Sequence, residues 1–251
     1  MVCVYDSGVG GLTALCAIRR CAPQCDVLYL ADTARLPYGN RPREVLMGCA
    51  RAALDLLASY APSRILVACG TLSTVCLPLL AAHYPFPLCG VAEAGVRAAF
   101  AAAPQGEIAV LATRATVESG YFQARLARVR AVACPTLVPL AEGGEIALRD
   151  PMAQRVILRA LGPLVESPPA AAILGCTHFG WLAEGIAAAL PKTVLIDCAA
   201  AAVAECGGQL ATLGGQGRTE YLVTADPEGF AAKATRLLGY PITARLVDIH
   251  C

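Results

Sequence analysis

Short apolar runs without charged residues alternate along this chain with longer stretches of helical periodicity. Such runs are typical of strands buried on both faces, and helices between them predict a parallel sheet covered on each side. The expected strands are residues 2–5, 27–30, 65–68, 88–91, 108–112, 136–139, 171–174 and 194–196, and the expected helices include one from about residue 12 and those at 43–60, 116–128 and 150–165. The predicted fold class is therefore α/β, in which ligands bind at the carboxyl ends of the strands.

This apolar character raises the question of a membrane protein, because 57% of the 251 residues are hydrophobic and the mean hydropathy is +0.57. The longest stretch without Lys, Arg, Asp or Glu covers residues 65–92, which is long enough to cross a bilayer. Breaks such as Gly70, Pro78 and Pro85 would leave backbone groups unpaired there, and lipid offers them no partners. We therefore expect a soluble protein that has no membrane partner.

Charge and cysteine content limit the possible partners, the cellular compartment and the chance of a metal site. Twenty basic and nineteen acidic residues give a net charge of +1 without a basic cluster, so no nucleic-acid partner is expected. The N-terminus does not have the pattern of a signal peptide. The thirteen cysteines are an odd number, which favours free thiols in the cytoplasm over a disulfide framework. No C-x-x-C pair is present and there are only three histidines, so no metal site is expected.

A weak internal repeat places two cysteines at equivalent points. Residues 65–71 and 172–178 each contain an apolar strand that ends in a cysteine, Cys69 or Cys176, and a proline follows 16 or 15 residues later. Two similar α/β units would present these thiols to each other across a cleft. A thiolate and a thiol on opposite faces of one carbon can remove a proton from one side and deliver one from the other, which inverts a stereocentre.

Neighbouring residues suit this chemistry. The glycine-rich segment after Asp6, residues 7–11, lacks the lysine of a P-loop and predicts a tight turn whose N–H groups hold a carboxylate rather than a phosphate. His178 lies two residues from Cys176. A pyridoxal cofactor would need a suitably placed lysine, and neither Lys192 nor Lys233 follows a predicted strand. We therefore expect no cofactor.

Six segments together resemble the glutamate racemase family of the aspartate/glutamate racemase superfamily. They are residues 4–13, 31–41, 67–71, 111–119, 134–142 and 174–179, and they span nearly the whole chain. The elements Asp-Ser-Gly, Pro-Tyr-Gly-Asn and Gly-Cys-Thr-His are highly specific when they occur in this order. The resemblance implies a cofactor-free racemase that interconverts L-glutamate and D-glutamate for peptidoglycan synthesis. Its partner would be a small amino acid, and a homodimer is compatible with the sequence.

The resemblance also implies roles for individual residues. Cys69 and Cys176 resemble the two acid–base thiols of the family. The group that assists the first thiol would be Asp6, and those that assist the second would be Glu142 and His178. The positions that hold the substrate would be Ser7, Tyr38, Gly39, Gly70, Thr71, Thr116 and Thr177.

The family architecture implies two parallel-sheet α/β lobes that face each other across a central cleft holding the active site. The first lobe would contain residues 1–93 together with 204–251, and the second residues 94–203.

One position departs from the family pattern. The family usually has Asn directly after the first catalytic cysteine, where this chain has Gly70. The change removes hydrogen-bond donors and is expected to open space beside the substrate. Two alternatives therefore stay open beside glutamate racemisation: a related racemase or isomerase for another small acidic substrate such as aspartate, and a non-catalytic paralogue that keeps the fold.

Overall fold

The computed structural model describes residues 1–143 and 151–249. The strands in this part of the chain are β1 (Val2–Asp6), β2 (Val27–Ala31), β3 (Arg64–Val67), β4 (Leu88–Gly90), β5 (Ile108–Ala112), β6 (Val129–Ala133), β7 (Ala171–Leu174), β8 (Val194–Asp197), β9 (Thr219–Val223) and β10 (Arg245–Leu246). Every residue of β1, β2, β5 and β7 is buried, which explains why these runs carry hardly any charge.

Helices fill most of the connections between the strands. They are α1 (Leu12–Cys21), α2 (Arg43–Ala58), α3 (Gly70–Val75), α4 (Leu77–Leu80), α5 (Val91–Ala102), α6 (Arg114–Glu118), α7 (Leu137–Glu142), α8 (Pro151–Glu166), α9 (Ala183–Ala189), α10 (Cys198–Thr212) and α11 (Pro227–Leu238). Short 3₁₀ turns cover Thr33–Arg35, Tyr38–Asn40, Ala81–His83 and Thr177–Leu182. Within the described residues, no helix has the length and apolar character needed to cross a membrane.

The strands form two separate parallel sheets. The first has the order β10-β9-β2-β1-β3-β4 and the second β6-β5-β7-β8. Four neighbouring strands of the first sheet, β2-β1-β3-β4, therefore repeat the topology of the second. In this repeat β3 corresponds to β7, which are the strands that precede Cys69 and Cys176. The predicted α/β class with two similar parallel sheets is confirmed.

A layer of helices joins the two sheets. Apolar residues of both, such as Val4 of β1 and Val110 of β5, belong to one buried cluster that includes residues of α1, α5 and α10. Separate clusters cover the outer faces of the sheets, one with α2 and one with α8. The lobe boundaries near residues 93 and 204 fall inside α5 and α10, and they stay a prediction.

Two predicted elements of the second sheet are wrong. Residues 136–139 do not form a strand, since α7 begins at Leu137, and the edge strand is β6 instead. Strand β6 is only half-buried and contains Arg130, so it lacks the uncharged apolar run that marks the central strands. The helix expected at 116–128 ends at Glu118, and Gly120 follows in the left-handed region with a φ of 67°. The turns after it bury Tyr121, Phe122 and Leu126 without forming a helix.

The bounds of the other predicted helices and strands agree with the structure to within a few residues. The helix expected at 150–165 is observed as α8, while Asp150 itself lies outside the described residues. Strands β9 and β10 were not expected. Each contains a charged residue, Glu220 or Arg245, and β10 is an edge strand of only two residues.

Candidate active site

Cys69 and Cys176 lie at the carboxyl ends of the equivalent strands β3 and β7. Each precedes a helical turn, α3 in the first case and Thr177–Leu182 in the second. Both are buried, and both line the same cavity of about 380 Å³. The internal repeat in the sequence thus brings one thiol from each sheet to a common space.

Most of the other predicted site residues line this cavity as well. They are Ser7, Tyr38, Gly39, Gly70, Thr71, Glu142, Thr177 and His178. Asp6 and Thr116 do not line it, and both are fully buried behind it. The two sheets contribute to the cavity from opposite sides, because Ser7 follows β1 while Thr177 and His178 follow β7.

The surroundings of Cys69 favour a neutral thiol. Its Sγ lies 3.9 Å from the hydroxyl of Ser7. Burial, and then the negative charge of Asp6, hold the pKa of Cys69 far above its ordinary value. We therefore expect Cys69 to carry its proton near neutral pH.

Asp6 has donors on both carboxylate oxygens. The N–H of Gly8 donates to Oδ1 over 2.8 Å, and the hydroxyl of Thr177 donates to Oδ2 over 3.1 Å. Burial raises the pKa of Asp6, while the charge of His178 and these hydrogen bonds act in the opposite direction. Asp6 thus connects the turn after β1 with the turn after β7 beside the cavity.

Cys176 begins a chain of polar contacts that leads away from the cavity. Its Sγ lies 3.8 Å from Nδ1 of His178, and Nε2 of the same ring lies 3.1 Å from Oε1 of Glu142. Burial alone would lower the pKa of His178, but its contacts with Cys176 and Glu142 raise it to about 10. The imidazole is therefore a cation at neutral pH and can stabilise a thiolate at Cys176.

Glu142 has a second partner. Oε2 accepts from the ammonium group of Lys233 over 3.0 Å. The hydrogen bond with His178 and, after it, the one with Lys233 lower the pKa of Glu142 to about 2 despite burial. The carboxylate is ionised throughout the neutral range.

Proteins similar to this chain are named racemases. The sequence profile of the Asp/Glu/Hydantoin racemase family matches residues 15–206. A glutamate racemase from Thermus thermophilus is 41% identical over 243 residues, which are 93% of this chain and 91% of the relative. The chain belongs to the Asp/Glu/Hydantoin racemase family. The resemblance to glutamate racemases found in the sequence is confirmed.

Solved racemases of the family have the same fold. The crystal structure of the Thermus thermophilus glutamate racemase in complex with β-chloro-D-alanine has a TM-score of 0.89 at 39% identity, covering 98% of this chain and 96% of that one. The structure of the Francisella tularensis glutamate racemase in complex with D-glutamate has a TM-score of 0.87 at 25% identity, covering 98% and 97%.

Gly70, the departure from the racemase pattern, is in a crowded position. A Cβ atom at this residue would lie 2.0 Å from the carbonyl oxygen of Gly175 and 3.0 Å from its carbonyl carbon. The expectation that Gly70 opens space is therefore wrong at the Cβ position. The backbone that precedes Cys176 approaches closely enough to fill it, so this racemase requires glycine at residue 70 in the observed conformation.

Tyr38 takes part differently from what the resemblance to racemases implied. Its side chain is buried, and its hydroxyl donates to Oδ2 of Asp32 and lies 3.0 Å from the hydroxyl of Tyr5. The phenol group is thus occupied in the core of the first sheet. What this segment can present to a substrate is its backbone at Tyr38–Asn40.

Several cavity residues were not foreseen. Thr113 lines the cavity, whereas Thr116, which was expected there, accepts a hydrogen bond from Thr113 over 3.0 Å from behind. Thr113 also lies 3.1 Å from the hydroxyl of Thr71. Because Thr113 directly follows β5, the rule that ligands gather at strand ends could have found it. Asn40 and the exposed Arg114 also line the cavity.

Lys233 was considered only as a cofactor lysine and set aside. Lys233 lies in α11, which follows a strand of the first sheet. Nothing in the sequence indicates that its ammonium group contacts Glu142 of the second sheet. In the described part of the chain, no group of three or more His, Cys, Asp or Glu residues is arranged to hold a metal ion.

Proposed function

We propose that this protein is a cofactor-independent racemase that interconverts L-glutamate and D-glutamate by proton transfer between Cys69 and Cys176. The observation that carries the proposal is that these two thiols, from equivalent ends of two sheets, line one cavity. Relatives named glutamate racemase, which match over nearly the whole chain, support this substrate.

The two thiols have surroundings that suit opposite tasks. In one direction a thiolate at Cys176, beside the cationic His178, takes the α-proton of the substrate. The electron pair of the broken C–H bond stays on the α-carbon, and the neutral thiol of Cys69 delivers its proton to the other face. Cys176 then carries a proton and Cys69 is a thiolate. The reverse reaction begins from that state.

The α-proton of an amino acid is too weakly acidic for a thiolate in water. We propose that hydroxyl and N–H donors on the substrate carboxylates stabilise the carbanion-like transition state in this cavity. The hydroxyls of Ser7 and Thr71 and the backbone around Gly39 are suited to this role. Asp6, Glu142 and His178 tune the two thiols.

The same proposal implies how the product is used and in which compartment the protein works. D-Glutamate made in this way would supply peptidoglycan synthesis in the cytoplasm. None of the cysteines in the described residues forms a disulfide, which is consistent with a reducing compartment. Light scattering determines whether the protein forms the homodimer with which its sequence is compatible.

Gly70 is the observation that favours a second candidate, a racemase for a smaller acid such as aspartate. It replaces the asparagine that the family usually has, and the Gly175 carbonyl occupies the adjacent space. A site without those amide donors could discriminate between acids differently.

Proton exchange in deuterated water distinguishes these functions. The protein is incubated with L-glutamate, D-glutamate, L-aspartate or D-aspartate, and both deuterium at the α-carbon and optical rotation are followed. We expect both glutamate enantiomers to gain α-deuterium and racemise. Glutamate that gains no deuterium overturns the proposal. Exchange confined to aspartate favours the second candidate, and no exchange in any substrate favours a non-catalytic paralogue.

A further inference from the structure

An ion pair connects elements of the two sheets beside the proposed site. Lys233 lies on α11, which follows β9 of the six-stranded sheet. Glu142 is the last residue of α7, which follows β6 of the four-stranded sheet. The ammonium nitrogen of Lys233 lies 3.0 Å from Oε2 of Glu142. The C-terminal helix of one sheet thus reaches a group that assists the thiol of the other.

The two oxygens of Glu142 have different partners. Oε1 lies 3.1 Å from Nε2 of His178, while Oε2 accepts from Lys233. A carboxylate held at both oxygens cannot rotate freely about its last bond. The imidazole that it contacts is in turn directed at Cys176 by the 3.8 Å contact of Nδ1.

We infer that Lys233 is a positioning residue for the racemase reaction, which fixes the Glu142 carboxylate against His178 and so keeps the imidazole in line with Cys176. This inference rests on the proposed function for the identity of the reaction. Lys233 contacts neither thiol and does not line the cavity. Its proposed effect is limited to Cys176.

The charges around this chain of contacts alternate in sign. Glu142 faces Lys233 and His178, and His178 faces Cys176, Asp6 and Glu142. Without Lys233, water can take its place on Oε2 and the partly exposed carboxylate becomes free to turn. His178 then loses a fixed acceptor, which lowers its pKa. Loss of the Lys233 charge acts in the opposite direction, but solvent screens that charge because the side chain is 41% exposed, so we expect the pKa to fall.

The contribution of this pair to folding should be small. The side chain of Lys233 is 41% exposed and that of Glu142 is 23% exposed, and solvent screens ion pairs in such positions. A purely structural role would therefore leave little trace when Lys233 is removed. A positioning role would change the titration of His178 and the reactivity of Cys176.

The test uses the full-length protein with Lys233→Met, the conservative Lys233→Arg and the matched control Lys192→Met. Lys192 is exposed and is the other lysine of the chain. The first measurement is the NMR titration of the His178 ring. The second is exchange of the glutamate α-proton with deuterated water in Cys69→Ser and Cys176→Ser backgrounds, in which a single thiol removes the proton and returns a deuteron to the same face.

We expect Lys233→Met to lower the pKa of His178 and to slow exchange by Cys176 about tenfold, while exchange by Cys69 changes less than twofold. Lys233→Arg should restore both values, and Lys192→Met should behave as the parent protein. An unchanged or raised His178 titration overturns the inference. Equal slowing with both thiols, or the same effect from Lys192→Met, also overturns it.

The two proposals fail in different ways. If the parent protein exchanges no glutamate proton, the proposed function fails, but the His178 titration still decides whether Lys233 positions Glu142. If the parent protein racemises glutamate and the titration does not respond to Lys233→Met, only the inference about Lys233 fails.

Discussion

The hydroxyl of Thr177 donates a 3.1 Å hydrogen bond to the carboxylate of Asp6. Asp6 ends β1 of one sheet and Thr177 follows β7 of the other, so this contact joins the two lobes at the proposed active site. The turn after β1 accommodates it closely. A Cβ atom at Gly10 would lie 2.5 Å from the Thr177 hydroxyl and 2.6 Å from Nδ1 of His178.

Thr177→Val should weaken both the fold and the reaction. Valine has nearly the same shape but cannot donate, so one oxygen of the buried Asp6 loses its partner. We expect the free energy of unfolding to fall by about 1–3 kcal/mol and kcat/KM to fall at least tenfold. Denaturant unfolding and racemisation kinetics measure the two effects. Thr177→Ser keeps the donor and should lose much less, and a valine variant of unchanged stability would contradict the account.

Gly70→Asn, which restores the usual family residue, should damage this protein. The added Cβ would lie 2.0 Å from the Gly175 carbonyl oxygen, and both partners are backbone rather than flexible side chain. We expect a loss of about 1–3 kcal/mol of stability and a lower kcat, because the backbone before Cys176 must move. Thermal unfolding and kinetics test this.

Two alanine variants show whether the added Cβ atom or the amide group causes the damage. Gly70→Ala adds the Cβ without the amide and should be destabilising as well. Gly208→Ala, on α10 where a Cβ meets nothing within 4 Å, should leave stability unchanged or raise it slightly. A gain of activity in Gly70→Asn would show that the backbone adjusts easily and that the missing amide limits catalysis.

Tyr38→Phe tests whether the phenol group contacts the substrate. Its hydroxyl donates to Asp32, which also accepts from Arg35 over 2.7 Å and from Thr224 over 2.6 Å. Both remaining donors are on Oδ1, so Oδ2 of the buried carboxylate loses its partner. We expect a stability loss of about 1–3 kcal/mol and a KM for glutamate within twofold of the parent value. A large rise in KM with unchanged stability would instead place the hydroxyl in substrate binding.

The contacts of His178 predict a pH-dependent contribution to stability. Its pKa is raised from an ordinary value of 6.5 to about 10 in the folded protein. The stabilisation is therefore complete below pH 6.5 and is lost as the pH rises through about 10. We expect the parent protein to lose on the order of 5 kcal/mol more than His178→Gln across this range. Urea unfolding at a series of pH values measures the difference, and parallel curves would refute it.

Much of this architecture could be predicted because its signals are local. Central strands such as β1 and β5 are buried on both faces, and this requires uncharged apolar runs that are visible in the sequence. The predictions were wrong where this local signal is weak or misleading. The edge strand β6 is only half-buried and lacks the apolar run, and the turn around Phe122 buries aromatic residues without being a helix.

The sequence by itself determined the α/β class, the repeat that ends in Cys69 and Cys176, and the set of residues at the strand ends. Only the tertiary structure decided which groups meet: that Thr113 rather than Thr116 lines the cavity, that Lys233 reaches Glu142, and that Gly70 lies against Gly175. These contacts join residues far apart in the chain and depend on how two sheets pack through a shared helical layer. Ångström-scale differences in that packing decide which donors and charges come within hydrogen-bond distance, and neither spacing nor composition encodes them.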